Sequence, residues 1–234
     1  MRMRLPFKRL AQPPLLGWFG KLPAVGDFAG RGLPLSLREG VHAWCADGMV
    51  RLAERHGEMW REAYQLSPIW HFAMNAGVWD ERPLLGCVAP SMDRVGRCSP
   101  LVVLRSIESD HVGACLPPQS DWSYKTDALV RRIISDTVGV EAVQIELEAT
   151  LGERMPWCSE ATTTGEILAD LGIGEKGCAD WFSWPDLCER FAERRRRSFW
   201  WAEPSPMLPP KQVIHNGEPD ADLFELLLMG WADR

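Results

Sequence analysis

The charged residues best placed to do chemistry lie in two short loops of the sequence, residues 21–34 and 91–99. These residues are Lys21, Asp27, Arg31, Asp93, Arg94 and Arg97. Arginine offers forked N–H donors that match a carboxylate, so the loops indicate a docking surface for acidic groups of a partner. The alternative is structural: Asp93 and Arg97 pair with each other, an interaction worth roughly 0–1 kcal/mol if it is exposed.

Motifs for other chemistry are missing from the sequence. The glycines around Lys21 fit neither the spacing of a P-loop nor that of a dinucleotide-binding fingerprint. There is no Gly-x-Ser-x-Gly elbow, and no two histidines are three or four residues apart, as metal ligands on a helix would be. We therefore predict no catalytic residue, no metal and no cofactor, and a protein that is not an enzyme. The competing hypothesis is a ligand- or nucleotide-binding enzyme that uses residues 21–27 and 91–99, with Asp93 as an acid–base group.

The composition is that of an ordinary soluble globular protein. The chain has 234 residues, of which 46% are hydrophobic and 25% charged, which predicts one domain with a sizeable core. The net charge of −6 argues against broad nucleic-acid binding, and the arginine run at 194–197 indicates a solvated helix end. We expect residues 1–14 to form a loose basic lead-in and residues 15–234 a single domain. Within it, 152–180 is the least readable part and the expected place of an insertion or disorder.

Several features predict a cytoplasmic protein that does not insert into a membrane. The seven cysteines include no CxxC pair, which is typical of a reducing compartment. The N-terminal stretch lacks the continuous apolar region of a signal peptide, because Pro13 and Pro14 interrupt it. No stretch approaches the ~20 apolar residues that span a bilayer.

Two apolar runs form the centre of the predicted fold. Leu84–Ala89 and Leu101–Leu104 flank the 91–99 loop, are too short for helices and are bounded by Pro90 and Pro100. Neither run alternates apolar with polar residues. We therefore expect a hairpin in the middle of a sheet whose two faces are both covered.

The rest of the chain supplies the other elements. Short apolar runs predict strands at 15–20, 199–201 and 212–215, the last at a sheet edge. Apolar residues at helical spacing predict helices at 35–56, 58–66, 67–77 and 129–138, and from 185 and 219 onward, while 140–151 fits helix or strand. About five strands among five or six helices predict an α/β fold. Its expected form is a three-layer α-β-α sandwich around a mixed, mainly antiparallel sheet.

One histidine, His71, lies on the predicted 67–77 helix. A lone histidine beside an apolar face is more often a satisfied core residue than a catalytic one, so we expect a structural role. Most of the twelve tryptophans are expected to fill the core, as are Cys45 and Cys87.

Four stretches of the sequence resemble the TagF (ImpM) proteins, which accompany bacterial type VI secretion systems. They are GWFGKLPAVGDFAGRGLP at 17–34, SPIWHFAMNAGVW at 67–79, APSMDRVGRCSPL at 89–101 and SFWWAE at 198–203. Each motif is short, but together they occur in the order found in the family. The match covers residues 15–110 and, more loosely, 198–231. Cys98 departs from the family, which commonly has an aromatic residue after the VGR triplet.

The resemblance implies a cytoplasmic α/β protein that acts after translation to restrain type VI secretion. Its implied partner is the forkhead-associated scaffold protein of the apparatus. The residues that match the family's motif positions, and that we predict to bind this partner, are Lys21, Asp27, Asp93, Arg94 and Arg97. A structural subunit of the apparatus is an alternative, and the sequence leaves the oligomeric state open.

Overall fold

A single antiparallel sheet runs through the described part of the protein. The computed structural model describes residues 14–107, 121–152, 196–202 and 211–229. The strands there are β1 (Leu16–Lys21), β2 (Phe28–Arg31), β3 (Trp70–Met74), β4 (Leu84–Ala89), β5 (Leu101–Ser106), β6 (Arg197–Ala202) and β7 (Lys211–Asn216). Their order across the sheet is β2-β1-β5-β4-β3-β6-β7, and every neighbouring pair is antiparallel.

Five α-helices accompany the sheet within the same residues. They are α1 (Leu35–His56), α2 (Trp60–Leu66), α3 (Asp121–Ser135), α4 (Val140–Leu151) and α5 (Ala221–Met229). A 3-10 turn at Gly57–Met59 joins α1 to α2. None of these helices is both long and apolar enough to cross a membrane.

The two faces of the sheet belong to two separate hydrophobic clusters. In β4, Leu84 and Val88 join one cluster while Leu85 and Cys87 join the other, as the alternation of side chains along a strand requires. The first cluster includes side chains of α1, α2 and α5, and the second includes side chains of α3 and α4. Every residue of β4 is buried, which accounts for its unbroken apolar sequence.

The predicted central hairpin is confirmed. β4 and β5 pair from Leu84 opposite Ser106 to Ala89 opposite Leu101, and they lie in the interior of the sheet. The strands predicted at β1, β6 and β7 are also present, with β7 at an edge, and so are the helices predicted at α1, α2, α3 and α5. The ambiguous segment 140–151 is the helix α4.

The predicted number of strands is wrong. About five strands in a mixed, mainly antiparallel sheet were expected, whereas the described residues form seven strands that are all antiparallel. The two missed strands are β2, inside the glycine-rich 21–34 loop, and β3, where a helix was expected over 67–77. All five residues of β3 are buried. A segment that is buried on every side shows neither the helical nor the strand spacing of apolar residues. The pairing of β3 with β4 and β6 therefore outweighs the helix-start signal at Ser67-Pro68.

Several predictions fall outside the described residues. These are the lead-in up to residue 13, almost all of the 152–180 segment and the helix expected from 185 onward. Of the arginine run at 194–197, only the last two residues are described. Arg197 begins β6 there instead of ending a helix.

Helix α5 is fixed to the rest of the first cluster by tryptophan side chains. Trp44 Nε1 donates a hydrogen bond to the Asp220 carbonyl at 2.8 Å, and Trp70 Nε1 donates to the Leu227 carbonyl at 2.7 Å. Between these contacts α1 and α5 approach closely at a glycine. A Cβ at that position, Gly48, would collide with the ring of Phe224.

Replacing Gly48 with alanine is expected to destabilise the protein by about 1–3 kcal/mol, because the added methyl group overpacks the Phe224 ring. The matched control is Gly40→Ala in the same helix, where a Cβ would meet nothing within 4 Å. That variant should gain up to about 1 kcal/mol from helix propensity. Urea unfolding of both variants measures the difference, and equal effects would contradict close packing at Gly48.

Candidate partner-binding site

The loop between β4 and β5, which we call the hairpin loop (residues 91–99), is closed by its own backbone. Ser99 N donates to the Ser91 carbonyl at 3.1 Å, and Asp93 N donates to the Arg97 carbonyl at 3.0 Å. Gly96 N donates to the Asp93 carbonyl at 2.9 Å, with a φ of 82° that favours glycine. The hairpin loop is therefore a braced extension of the central strands.

Asp93 accepts four hydrogen bonds although it is only 2% exposed. Its Oδ1 accepts from the backbone N–H groups of Val95 at 3.0 Å and Arg97 at 2.9 Å. Its Oδ2 accepts from Lys21 Nζ at 2.8 Å and Arg97 Nε at 2.7 Å. Burial by itself raises the pKa of Asp93, but the hydrogen bonds from Lys21, Arg97 and Val95 outweigh it and hold that pKa well below its usual range. The carboxylate is therefore ionised and fully engaged.

Lys21, the last residue of β1, is the cation that reaches Asp93 from outside the hairpin loop. It is only 5% exposed, and its Nζ lies 5.0 Å from the centroid of the Phe28 ring. Its backbone carbonyl accepts a hydrogen bond from Ser91 Oγ at 2.8 Å. A buried charge is tolerated when it is paired and hydrogen-bonded, which is the situation of Lys21. The end of β1 is thus fixed to the hairpin loop by both side chain and backbone.

The loop between β1 and β2, residues 22–27, also touches the hairpin loop, and we call it the edge loop. Arg94 N donates to the Val25 carbonyl at 2.8 Å. The guanidinium of Arg97 donates to the Gly26 carbonyl. The two loops therefore form one continuous surface.

All five residues predicted to bind a partner lie in or beside these two touching loops. Lys21 and Asp93 are buried and bind each other, so they hold the loops together. Asp27 and Arg94 are exposed, and the Arg97 side chain is 58% exposed while its guanidinium bonds to Asp93. The Asp93–Arg97 pair considered as the structural alternative does form, with a buried carboxylate. Partner binding by these residues stays a prediction.

Tyr64 is a site residue that the sequence did not reveal. Its hydroxyl donates to the Ser91 carbonyl at 3.0 Å and accepts from Ser91 N at 2.9 Å, which fixes α2 to the base of the hairpin loop. The contact joins residues 27 positions apart, and no local pattern marks it.

Arg31 has a different role from the other loop cations, because it pairs with Glu141 of α4.

His71 is a second titratable residue in an unusual environment. It lies on β3 and is fully buried, as expected of a core histidine, but neither of its ring nitrogens has a hydrogen-bond partner among the described residues. Its ring stacks on Trp201 with centroids 5.8 Å apart, and Asp127 Oδ1 lies 4.0 Å from its Nε2. Burial lowers the pKa of His71 to about 4, with Asp127 opposing the shift and Arg131 adding to it.

The surroundings of His71 do not assemble a nucleophile or a metal site. Cys87 lies opposite His71 in the β3–β4 pairing. Burial raises the pKa of the Cys87 thiol well above its usual value, which disfavours the thiolate that a nucleophile needs. Nowhere in the described ranges are three His, Cys, Asp or Glu side chains grouped so that they could hold a metal ion. We therefore interpret His71 as a packing residue.

Both loops fall within the part of the chain that matches a known family. The model of the TagF N-terminal domain, described as type VI secretion system-associated, matches residues 17–150. The match covers more than half of the chain and places the protein among those associated with type VI secretion. The chain belongs to the TagF family, as its four motifs indicated.

A solved structure shares the fold over nearly the whole chain. It is the crystal structure of PA0076 from Pseudomonas aeruginosa PAO1, determined at 2.05 Å resolution. The TM-score is 0.71 at 26% sequence identity, and the match covers 92% of this chain and 94% of that chain. Among curated proteins there is no match. The shared fold thus extends beyond the residues that the family model covers.

Replacing Asp93 with asparagine is expected to lower the free energy of unfolding, because Lys21 is then left buried without an anion. The exposed control Asp27→Asn should change it by no more than about 0.5 kcal/mol. Because the pKa of Asp93 is lowered in the folded protein, its contribution is present at neutral pH and is lost only below the ordinary value of 3.8. Urea unfolding at pH values on both sides of this value measures the effect. Equal urea midpoints for the two variants at neutral pH would contradict a stabilising role of the buried Lys21–Asp93 pair.

A different pH window belongs to His71. Its pKa is about 4 in the folded protein against an ordinary 6.5, so the unfolded chain binds the proton first and stability falls as pH drops between these values. The full loss is about 3 kcal/mol. His71→Phe keeps a ring against Trp201 and should abolish this part of the pH dependence. Urea unfolding of both proteins across the window tests it, and parallel profiles would show that His71 is not the responsible group.

Proposed function

We propose that this TagF-family protein is a non-enzymatic, cytoplasmic regulator that restrains type VI secretion after translation by binding a scaffold component of the apparatus. The proposed partner is the forkhead-associated scaffold protein implied by the motif resemblance. Family membership supports the link to the secretion system. For the fold that presents the binding surface we propose the three-layer α-β-α sandwich, which is supported by the hydrophobic clusters on the two sheet faces.

The observation that carries the proposal is the joining of two loops into one exposed surface. The Lys21–Asp93 bond of 2.8 Å is buried beneath the loops, while Asp27, Arg94 and Arg97 are at the surface. Loops that are already held in place lose little conformational entropy when a partner binds, which favours recognition. Arginine is also a common anchor of protein interfaces.

The alternative of an enzyme that uses the same loops has less support. It would use residues 21–27 and 91–99 with Asp93 as an acid–base group, but Lys21 and Asp93 are each buried and engaged by the other. The pKa of Asp93 lies well below its usual range, and a general acid or base works best with a pKa near the working pH.

The proposal is tested by co-purification from the native cells, using tagged wild-type protein and the double variant Asp27→Ala with Arg94→Ala. Both changed residues are exposed, so the fold should be kept. The matched control is Arg132→Ala with Glu146→Ala, which removes an ion pair between α3 and α4 at 2.8 Å. Exposed pairs of this kind are worth roughly 0–1 kcal/mol, so this control should also fold.

We expect wild type and control to retain the forkhead-associated scaffold and to restrain secretion, and the loop variant to lose both properties. If the folded loop variant retained the scaffold, the two loops would not be its binding site. If wild-type protein retains no secretion component, the regulatory proposal itself is wrong. A structural subunit would instead be recovered in fixed stoichiometry with the assembled apparatus.

A further inference from the structure

The two faces of the sheet differ in the hydrogen bonding of their buried tryptophans. In the first cluster, the indole N–H groups of Trp44 and Trp70 donate to backbone carbonyls, and that of Trp200 donates to Ser198 Oγ at 2.8 Å. The second cluster also contains three buried tryptophans, Trp18, Trp122 and Trp201. None of their indole N–H groups has a hydrogen-bond partner within the described residues. The second face is therefore the one on which buried polar atoms are left without partners.

His71 belongs to the same face of the sheet. The strand pairing places it between Cys87 on β4 and Trp201 on β6, and both of these residues belong to the second cluster. Neither nitrogen of its buried ring has a hydrogen-bond partner in the part of the chain that the structure describes. A neutral imidazole carries one donor and one acceptor, and buried polar atoms in proteins are nearly always hydrogen-bonded to protein or to ordered water. His71 therefore needs a partner that the described side chains do not supply.

Helix α3 brings a carboxylate close to this histidine. Asp127 Oδ1 lies 4.0 Å from His71 Nε2, which is too far for a direct hydrogen bond. Two atoms at that separation can each lie about 2.8 Å from one water oxygen between them. The Asp127 side chain is 22% exposed, so water can reach it from the surface. The neighbouring Thr126 hydroxyl is buried and also lacks a partner among the described residues, which adds to the polar character of this part of α3.

We propose that one bound water molecule joins His71 Nε2 to Asp127 Oδ1 and thereby fixes β3 to α3. The water donates one hydrogen to the carboxylate, and it serves Nε2 as acceptor or donor, whichever the tautomer of His71 requires. Buried polar sites hold ordered water, whereas cavities that stay empty are lined by apolar groups. The inference is independent of the proposed function, because it concerns a site in the second cluster and not the two loops.

A crystal structure of the full wild-type chain, at a resolution that shows ordered water, tests the inference directly. We expect a water oxygen within about 3.2 Å of both His71 Nε2 and Asp127 Oδ1. A site without this water would overturn the inference, and so would a direct hydrogen bond between the two side chains. This experiment needs no variant, so its outcome does not depend on whether a substituted protein folds.

A double-mutant cycle tests the same bridge in solution. The variants are His71→Phe, Asp127→Ala and the combination of both, and urea unfolding at neutral pH gives their unfolding equilibrium constants. His71 is uncharged at this pH, since burial lowers its pKa to about 4, so an ion pair with Asp127 cannot couple the two residues. Either single change removes the bridge. We therefore expect the combination to raise the unfolding constant about fivefold less than the product of the two single effects.

The matched control is Arg131→Ala. Arg131 Nε bonds to Asp127 Oδ2 at 2.5 Å near the surface, so this change removes an ion pair of Asp127 but leaves its carboxylate in place. Its effect on the unfolding constant should multiply with that of His71→Phe, without coupling. If the effects of His71→Phe and Asp127→Ala also multiply without coupling, no water joins the two residues and the inference is wrong.

Discussion

The buried carboxylate of Asp93 is the constraint on which the candidate site depends. Taking a carboxylate out of water is costly unless its lone pairs are satisfied, and here four donors surround it. Two of them are backbone N–H groups of the hairpin loop, which fix the shape of that loop. The other two come from Lys21 and Arg97, and Arg97 also reaches the Gly26 carbonyl of the edge loop. One anion thus organises both loops, while their exposed side chains stay available for a partner.

The sheet brings these groups together because β1 and β5 are neighbours. Their pairing ends with Gly20 opposite Leu101, so Lys21, which still pairs with Phe28 of β2, lies beside the end of the hairpin loop. Gly20 has a φ of 148°, and a Cβ there would collide with the Pro100 carbonyl. Only glycine allows this close approach without displacing the backbone. The local sequence of β1 therefore determines where the buried Lys21 side chain lies.

The sequence predicts those parts of the fold whose signal is local. The central hairpin follows from two apolar runs bounded by prolines, and α1 follows from apolar residues at helical spacing. β3 does not follow, because a fully buried segment lacks the alternation that separates strand from helix. For the site, the charged residues could be named, but their division into buried and exposed groups could not. The Lys21–Asp93 contact spans 72 positions and the Tyr64–Ser91 contact spans 27, and both depend on strand order.

The central claim is that the Lys21–Asp93 bond joins the two loops. A double-mutant cycle with Lys21→Met, Asp93→Asn and the combination of both, measured by urea unfolding at neutral pH, tests it most directly. The account predicts that the combination is less destabilised than the sum of the single changes. Asp93→Asn leaves Lys21 buried without an anion, and Lys21→Met removes one of the two cations that bind the buried Asp93, whereas the combination removes both buried charges. Strictly additive changes in the free energy of unfolding would show that the two residues do not depend on each other, and would contradict the account.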